Sequence, residues 1–192
     1  KRRGEIKDNA IIPEEYAIKS SDTVYFATAD KYGNMVSMIQ SNYSGFGSGI
    51  VVPSTGIALN NRVENFYFKV GLANSLEGGK LPYHTIIPGF MTRDEEALGA
   101  FGIMGAFMQP QARVEVLTNM IDFNLNPQAA LDAPRIMWTG DKKIDVECDF
   151  YSEIIEGLKS HGHDVNVVSD FKNMGRGQII LKKDDVYIGG TE

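Results

Sequence analysis

Apolar residues in the first part of the chain follow the spacing of β-strands. Residues 23–29, TVYFATA, carry large or β-branched side chains on both alternating faces, which predicts a buried strand. Residues 30–34, DKYGN, supply turn chemistry, and residues 35–41 continue as a second strand, so the two runs predict a β-hairpin. Further strands are predicted at residues 49–52, 56–59, 84–91 and 97–104.

Helical spacing begins beyond these strands. Residues 110–123 predict a helix with Pro110 in its first turn. Its apolar stripe consists of Val116, Leu117, Met120 and Ile121. Asn126 precedes a proline and suits the start of a short second helix that ends before the next proline. A third helix is predicted at residues 151–161, where Gly162 ends it.

The chain closes with three more predicted strands, at residues 164–168, 178–182 and 186–189. Strands followed by helices and again by strands favour stacked layers of sheet and helix over a strictly alternating parallel fold. The sequence therefore predicts the α+β class. Residues 1–22 are more polar and predict an extended lead-in to the first strand.

Composition excludes several classes of function. The 192 residues carry a net charge of -6, which disfavours binding to nucleic acid, and no apolar run approaches the ~20 residues of a membrane-spanning helix. One cysteine, Cys148, permits neither an internal disulfide nor a cysteine-based zinc site, and a buried structural thiol is the default interpretation. The chain begins with Lys1 and not with Met, which leaves the compartment open between the cytoplasm, slightly favoured, and export.

Two motifs are weak candidates for binding sites. The glycine-rich residues 44–49 resemble a phosphate-binding loop, but a strand-like run follows where a dinucleotide loop would open a helix. His161 and His163 are too few for a zinc site, because the other candidate ligands are scattered along the chain. Neither a metal nor an organic cofactor is predicted.

A series of longer segments is more specific. They are residues 23–66, 80–90, 101–111 and 122–135, followed by the pattern Gly-His-x-Val at residues 162–165. In this order they resemble the small catalytic subunit of the gamma-glutamyltranspeptidase family, a family of N-terminal nucleophile hydrolases, in its divergent gamma-glutamyltransferase-related branch. The resemblance covers residues 23–192 and implies a four-layer αββα sandwich.

The resemblance also implies that the precursor cuts its own backbone between Asp22 and Thr23. Residues 1–22 would then be the tail of the large-subunit region, and residues 23–192 a catalytic domain whose C-terminus is truncated here. The expected partners are that large subunit and a small-molecule amide, within an oligomer of processed heterodimers.

Thr23 is the expected nucleophile of this family. A threonine hydroxyl reacts only when a base removes its proton, and cleavage would supply an α-amino group with a pKa of about 7.7–8.0 on the same residue. An acyl-enzyme would pass to water or to an amine. The resemblance gives Ser41 a hydrogen bond to the nucleophile, and it gives Gly105 and Ala106 the backbone N–H groups that bind the oxyanion. Ala106 replaces a glycine and must reach an allowed φ.

The substrate pocket departs from the family pattern. Tyr43, Arg62, Asn65, His84 and Thr85 stand where transpeptidases hold the γ-glutamyl group. A cationic Arg62 disfavours an ammonium group and favours a carboxylate. Because Asn65 replaces an acidic partner of the family, weak or absent γ-glutamyl transfer is expected. The substrate is therefore glutathione-like or, alternatively, a small carboxylate-bearing amide that is hydrolysed. A second alternative is a non-catalytic binding or assembly module.

Overall fold

The computed structural model describes residues 8–9 and 22–192. Its strands are β1 (Asp22–Ala29), β2 (Met35–Tyr43), β3 (Gly89–Arg93), β4 (Glu96–Met104), β5 (Ile136–Gly140), β6 (Lys143–Glu147), β7 (Asp164–Val168), β8 (Arg176–Lys183) and β9 (Val186–Thr191). Its α-helices are α1 (Met108–Ile121), α2 (Pro127–Asp132) and α3 (Ser152–Ser160), and short 3-10 helices form at Arg62–Asn65 and Phe171–Asn173.

Strands β1 and β2 form the predicted antiparallel hairpin. The Asp30 carboxylate accepts hydrogen bonds from the backbone N–H groups of Tyr32 and Asn34, at 2.9 and 3.0 Å, which stabilises the turn. Gly33 adopts a φ of 90°, a region that glycine enters without steric penalty. Local turn chemistry therefore fixes the register that places residue 23 opposite residue 41.

The hairpin packs on a four-stranded antiparallel sheet with the order β3-β4-β8-β9. Gly102 of β4 allows this close approach, because a Cβ atom there would lie 2.3 Å from the ring of Tyr25. Helices α1 and α2 cover the opposite face of the sheet, around a core that includes Ile103, Met108 and Leu131. This arrangement confirms an α+β sandwich, of which the described residues supply one helical layer and two sheet layers.

The predicted helix boundaries agree with the structure to within two residues. Pro110 lies in the first turn of α1, and the Asn126 side chain caps α2 by accepting the Ala129 N–H at 2.9 Å. Gly162 follows α3 with a φ of 90°. One member of the expected apolar stripe is misplaced, because Ile121 at the end of α1 is 71% exposed.

The structure contains a three-stranded sheet, β5-β6-β7, and the sequence pattern predicts only its third strand. Strand β5 pairs with β6 across a short turn and packs against α1, and β7 adds in parallel to β6. Strand β5, IMWTG, does not alternate between apolar and polar residues, and β6, KIDVE, alternates over only five residues, so periodicity gave a weak signal for both.

Two predicted strands between residues 49 and 59 are wrong. The structure has only an isolated antiparallel bridge between Val51 and Ala58, because the glycines at 49 and 56 take φ values of 73° and 71° and interrupt the extended backbone. The strand predicted at residues 84–91 begins only at Gly89.

Two expectations about burial are also wrong. Cys148 is exposed, because it lies just beyond the end of β6 instead of within the sheet. Strand β1 is buried on one face only. Val24 and Phe26, on its outer face, are 51% and 42% exposed because no described layer covers them, while Tyr25 on the inner face is 3% exposed.

Of the first 21 residues, only Asp8 and Asn9 are described. The backbone oxygen of Asp8 lies 2.7 Å from Nδ1 of His161, at the end of α3. The predicted extended lead-in over residues 1–22 lies outside the described residues except at these two positions and at Asp22.

Neither a membrane span nor a metal cluster is found in the described part of the chain. No helix there has the length and apolar character needed to cross a bilayer. The same residues contain no group of three or more histidine, cysteine or acidic side chains placed to hold a metal ion.

Glu115 of α1 makes folding stability depend on pH. Burial raises the pKa of its carboxyl from 4.5 to about 7, so the folded state binds more protons than the unfolded state between these values. The free energy of unfolding should therefore fall as pH rises through this window, by on the order of 3 kcal/mol at most. Glu115→Gln should flatten the dependence and raise the melting temperature at pH 8.

Thermal melts of the two proteins from pH 4.5 to pH 8 measure this effect. Glu95→Gln, in the exposed β3–β4 turn, is the matched control and should leave the pH dependence unchanged. Parallel curves for wild type and Glu115→Gln would show that the Glu115 carboxyl is ionised throughout the window.

Candidate active site

The two hydroxyls at the start of the hairpin are in direct contact. Thr23 is opposite Ser41 in the β1–β2 register, and Thr23 Oγ1 donates a hydrogen bond to Ser41 Oγ at 3.0 Å. Because Tyr25 points towards the four-stranded sheet, Thr23, two residues earlier, points to the same side. The pair is partly buried between the two sheets.

The backbone next to Thr23 is irregular. Asp22 is opposite Tyr43 and Thr23 is opposite Ser41, so Asn42 is an extra residue in β2 and forms a β-bulge. Tyr43 takes a φ of 78°, which is uncommon for a residue with a side chain, and its N–H donates to Ser41 Oγ at 2.9 Å. The bulge thus lies at the peptide bond between Asp22 and Thr23.

Burial of the Tyr43 side chain holds this conformation. Its ring is fully buried, and its hydroxyl donates to Asn65 Oδ1 at 2.6 Å. Asn65 in turn donates to the backbone oxygen of Tyr83 at 3.3 Å. The unfavourable backbone angle at Tyr43 is therefore maintained by contacts away from the bulge.

Arg62 lies behind Tyr43 as a buried cation. Its side chain is 3% exposed, its guanidinium carbon lies 5.1 Å from the centre of the Tyr43 ring, and Nη1 donates to Thr85 Oγ1 at 3.4 Å. Nε and Nη2 have no hydrogen-bond partner among the described residues. No carboxylate in residues 23–192 forms an ion pair with it. Burial lowers the pKa of Arg62, but a guanidinium stays protonated.

His84 and Thr85 border this cation. Thr85 is 1% exposed, whereas His84 is exposed and its Nδ1 accepts the N–H of Ile86 at 3.2 Å. Partial desolvation, and then the positive charge of Arg62, lower the pKa of His84. The imidazole is therefore favoured in its neutral form beside the guanidinium.

The turn between β4 and α1 presents two backbone donors. Gly105 and Ala106 have φ values of 131° and 49°, so Ala106 reaches the left-handed region at a strain of roughly 1 kcal/mol. Their carbonyls accept the N–H groups of Met108 and Gln109, at 2.8 and 3.2 Å, while their own N–H groups have no acceptor among the described residues. The positive end of α1 adds to the potential at this turn.

This turn and Thr23 lie at the same end of the packed sheets. The ring of Tyr25 packs against Gly102. Ser37 lies opposite Ala27 in the hairpin, and its hydroxyl donates to the Phe101 backbone oxygen at 3.5 Å. The direction along β1 from Ala27 to Thr23 is therefore the same as the direction along β4 from Phe101 to Gly105.

Three residues that the sequence did not single out connect the turn to the pocket. The rings of Tyr83 and Phe107 stack with centroids 5.8 Å apart. Gln109 is fully buried, and its amide nitrogen donates to the backbone oxygens of Thr85 and Ile103, at 2.6 and 3.2 Å, when oriented towards these two acceptors. A polar residue in the first turn of a core-facing helix was the only signal for Gln109 in the sequence.

The predicted site residues consequently occupy one region. Contacts run from Thr23 and Ser41 through Tyr43 to Asn65 and Arg62. The contacts continue from Arg62 to Thr85. Gln109 then joins Thr85 to the turn, because its side chain bonds the Thr85 oxygen and its backbone N–H bonds the Ala106 oxygen. The Asp22 side chain lies outside the described part of the chain.

Comparison with known proteins gives this region a family context. The family model described as Gamma-glutamyltranspeptidase matches residues 1–192. The crystal structure of a cephalosporin acylase from Bacillus halodurans superimposes with a TM-score of 0.87 and 52% identity, over 100% of this chain and 35% of that chain.

Two curated relatives are also similar. The glutathione hydrolase-like YwrD proenzyme of Bacillus subtilis is 35% identical over 93% of this chain and 35% of its own length. The oxamate amidohydrolase proenzyme of Klebsiella pneumoniae is 33% identical over 89% of this chain and 34% of its own length. The chain thus spans about a third of the length of the curated relatives it matches.

Proposed function

This chain belongs to the gamma-glutamyltranspeptidase family, and on that premise we propose that it is the nucleophile-bearing part of an amide hydrolase or acyltransferase. The observation that carries the proposal is the 3.0 Å hydrogen bond between the hydroxyls of Thr23 and Ser41. It lies beside a β-bulge and at the same end of the sheets as two backbone N–H groups without an acceptor among the described residues.

The active form arises by cleavage of the peptide bond between Asp22 and Thr23. The bulge at this bond and the strained φ of Tyr43 support the site, because an irregular backbone is not held by regular ladder bonds. Residues 1–22 then end the large subunit, and residues 23–192 belong to the catalytic subunit. Both relatives described above are proenzymes, which agrees with such processing. Processed heterodimers assemble further into oligomers.

Cleavage gives Thr23 its own general base. The new α-amino group takes the hydroxyl proton while Oγ1 attacks the amide carbonyl, and the Ser41 hydroxyl can donate to Oγ1 as charge develops. The N–H groups of Gly105 and Ala106 stabilise the oxyanion. The amine leaves with the proton, and the ester on Thr23 passes its acyl group to water or to an amine acceptor.

Arg62 indicates the substrate class. A buried guanidinium without a carboxylate partner among the described residues favours an anionic ligand, and the buried Nε and Nη2 atoms both lack a hydrogen-bond partner there. A small amide with an adjacent carboxylate satisfies this requirement, and oxamate, which the Klebsiella relative is named for, has this chemistry. We therefore propose hydrolysis of a carboxylate-bearing amide, with only weak turnover of γ-glutamyl anilides.

Removal of the Thr23 hydroxyl should abolish both processing and activity. Full-length Thr23→Ala should remain a single chain by intact mass, whereas wild type should yield a fragment that begins at Thr23, because the hydroxyl is the nucleophile in both reactions. Thr28→Ala, on the exposed outer face of the same strand, is the matched control and should process normally. An uncut, inactive wild-type protein would instead support a binding or assembly module.

Neutralising Arg62 should change specificity more than reactivity. Arg62→Gln should lower kcat/KM for oxamate by about 100-fold, a loss of ~2.7 kcal/mol typical of a charge-assisted bidentate contact, and should change kcat/KM for acetamide much less. Ammonia release measures both reactions, and Arg93→Gln at an exposed position of β3 is the control. Equal losses on the two amides would contradict carboxylate binding by Arg62.

A further inference from the structure

The proposed oxyanion turn packs against a second glycine turn, at the start of β8. A Cβ atom on Gly105 would lie 2.9 Å from the Cα atom of Gly175. A Cβ atom on Gly175, whose φ is 83°, would lie 2.8 Å from the Met104 oxygen and 2.9 Å from Cγ2 of Ile103. Because there is no room for a side chain at either glycine, the two turns are in close backbone contact, and the position of Gly175 limits the positions open to Gly105.

Arg135, between α2 and β5, holds the second turn. Its Nη1 donates to the backbone oxygens of Met174 and Gly175, at 3.2 Å each. Its Nη2 donates to the Leu131 oxygen at 2.9 Å and to Glu192 Oε2 at 2.7 Å. One planar guanidinium therefore joins the end of α2, the turn before β8 and the residue after β9.

Acidic groups compensate the charge of Arg135, which is only 3% exposed. Glu192 forms the direct ion pair, and its Oε2 also accepts the Gly177 N–H at 2.8 Å. Glu147 accepts the backbone N–H of Arg135 at 3.1 Å, and the charge of Arg135 acts on Glu115 from within the same cluster. Arg135 thus differs from Arg62, whose charge has no carboxylate partner among the described residues.

The turn of Gly105 and Ala106 requires such external support. Ala106 occupies a left-handed φ of 49°, which an alanine leaves readily when contacts permit, and Phe107 provides no side-chain cap for α1. A donor for a developing oxyanion must nevertheless be fixed before the reaction begins.

We propose that Arg135 is a positioning residue that holds the N–H groups of Gly105 and Ala106 in place through the Met174–Gly175 backbone. This inference rests on the proposed function, because it assigns a purpose to donors whose catalytic role is itself proposed. Arg135 touches no substrate, and it acts only through the position of Gly105.

Hydrogen exchange of the processed full-length protein tests the proposal without a substrate. Arg135→Lys replaces the fork with a single ammonium, which cannot reach the backbone oxygens and Glu192 together. Exchange should accelerate about 10-fold or more at Met108 and Gln109, whose N–H groups bond the carbonyls of residues 105 and 106. It should also accelerate over residues 172–177, but not over residues 136–147. Arg93→Lys should change neither region.

Kinetics provide the second measurement. With oxamate as the probe, Arg135→Lys should reduce kcat per processed molecule by about 10-fold while KM stays within about 2-fold, because the oxyanion forms only during reaction. Glu192→Gln keeps an acceptor for Gly177 but removes the ion pair, so its kcat should fall less, by about 3-fold.

Unchanged exchange at Met108 and Gln109 in Arg135→Lys would overturn the proposal whatever the activity. A uniform acceleration that includes residues 136–147 would also overturn it, since that result indicates global destabilisation. If the wild-type protein does not hydrolyse oxamate, the hydrogen-exchange measurement alone tests the role of Arg135. Residual activity in Thr23→Ala would disprove the proposed nucleophile, whereas full kcat in Arg135→Lys with an inactive Thr23→Ala would disprove only the role of Arg135.

Discussion

The contact between Tyr25 and the backbone of Gly102 is the constraint on which the rest of the site depends. It seats the β1–β2 hairpin on the four-stranded sheet at one fixed position along the strands. A side chain at residue 102 would separate the two layers, and the end of β1 would then lose its alignment with the β4–α1 turn. The hydroxyl of Thr23 and the donors at Gly105 and Ala106 come from distant parts of the sequence, and this packing brings them to the same end of the sandwich.

Electrostatics divide the site into two halves. Arg62 retains two nitrogen atoms without a partner among the described residues, whereas the guanidinium of Arg135 is bonded to four oxygens, one of them from Glu192. An uncompensated buried charge is unfavourable until a ligand of opposite charge arrives, which suits Arg62 to the proposed binding of a carboxylate. The compensated charge of Arg135 serves instead to rigidify the backbone around it.

Local chemistry predicted much of the fold, and long-range packing accounts for the errors. The cap at Asn126 and the turn at Gly33 follow from nearest neighbours, and both were expected. Exposure of Cys148, and of Val24 and Phe26 on the outer face of β1, depends on which layers surround these residues, which a local pattern does not show. The resemblance located the candidate site residues, but neither it nor periodicity indicated that Gln109 joins the pocket to the turn.

The central claim is that Thr23 carries the acyl group after its own amine has been released. Peptide mass mapping of the processed protein, quenched in acid during turnover of oxamate, tests it most directly. We expect an ester on the N-terminal peptide of residues 23–31 that hydroxylamine removes, and the same ester on this peptide from Thr28→Ala, which excludes Thr28 as its site. An acyl group on any other residue, or turnover by a protein whose backbone is intact between Asp22 and Thr23, would contradict it.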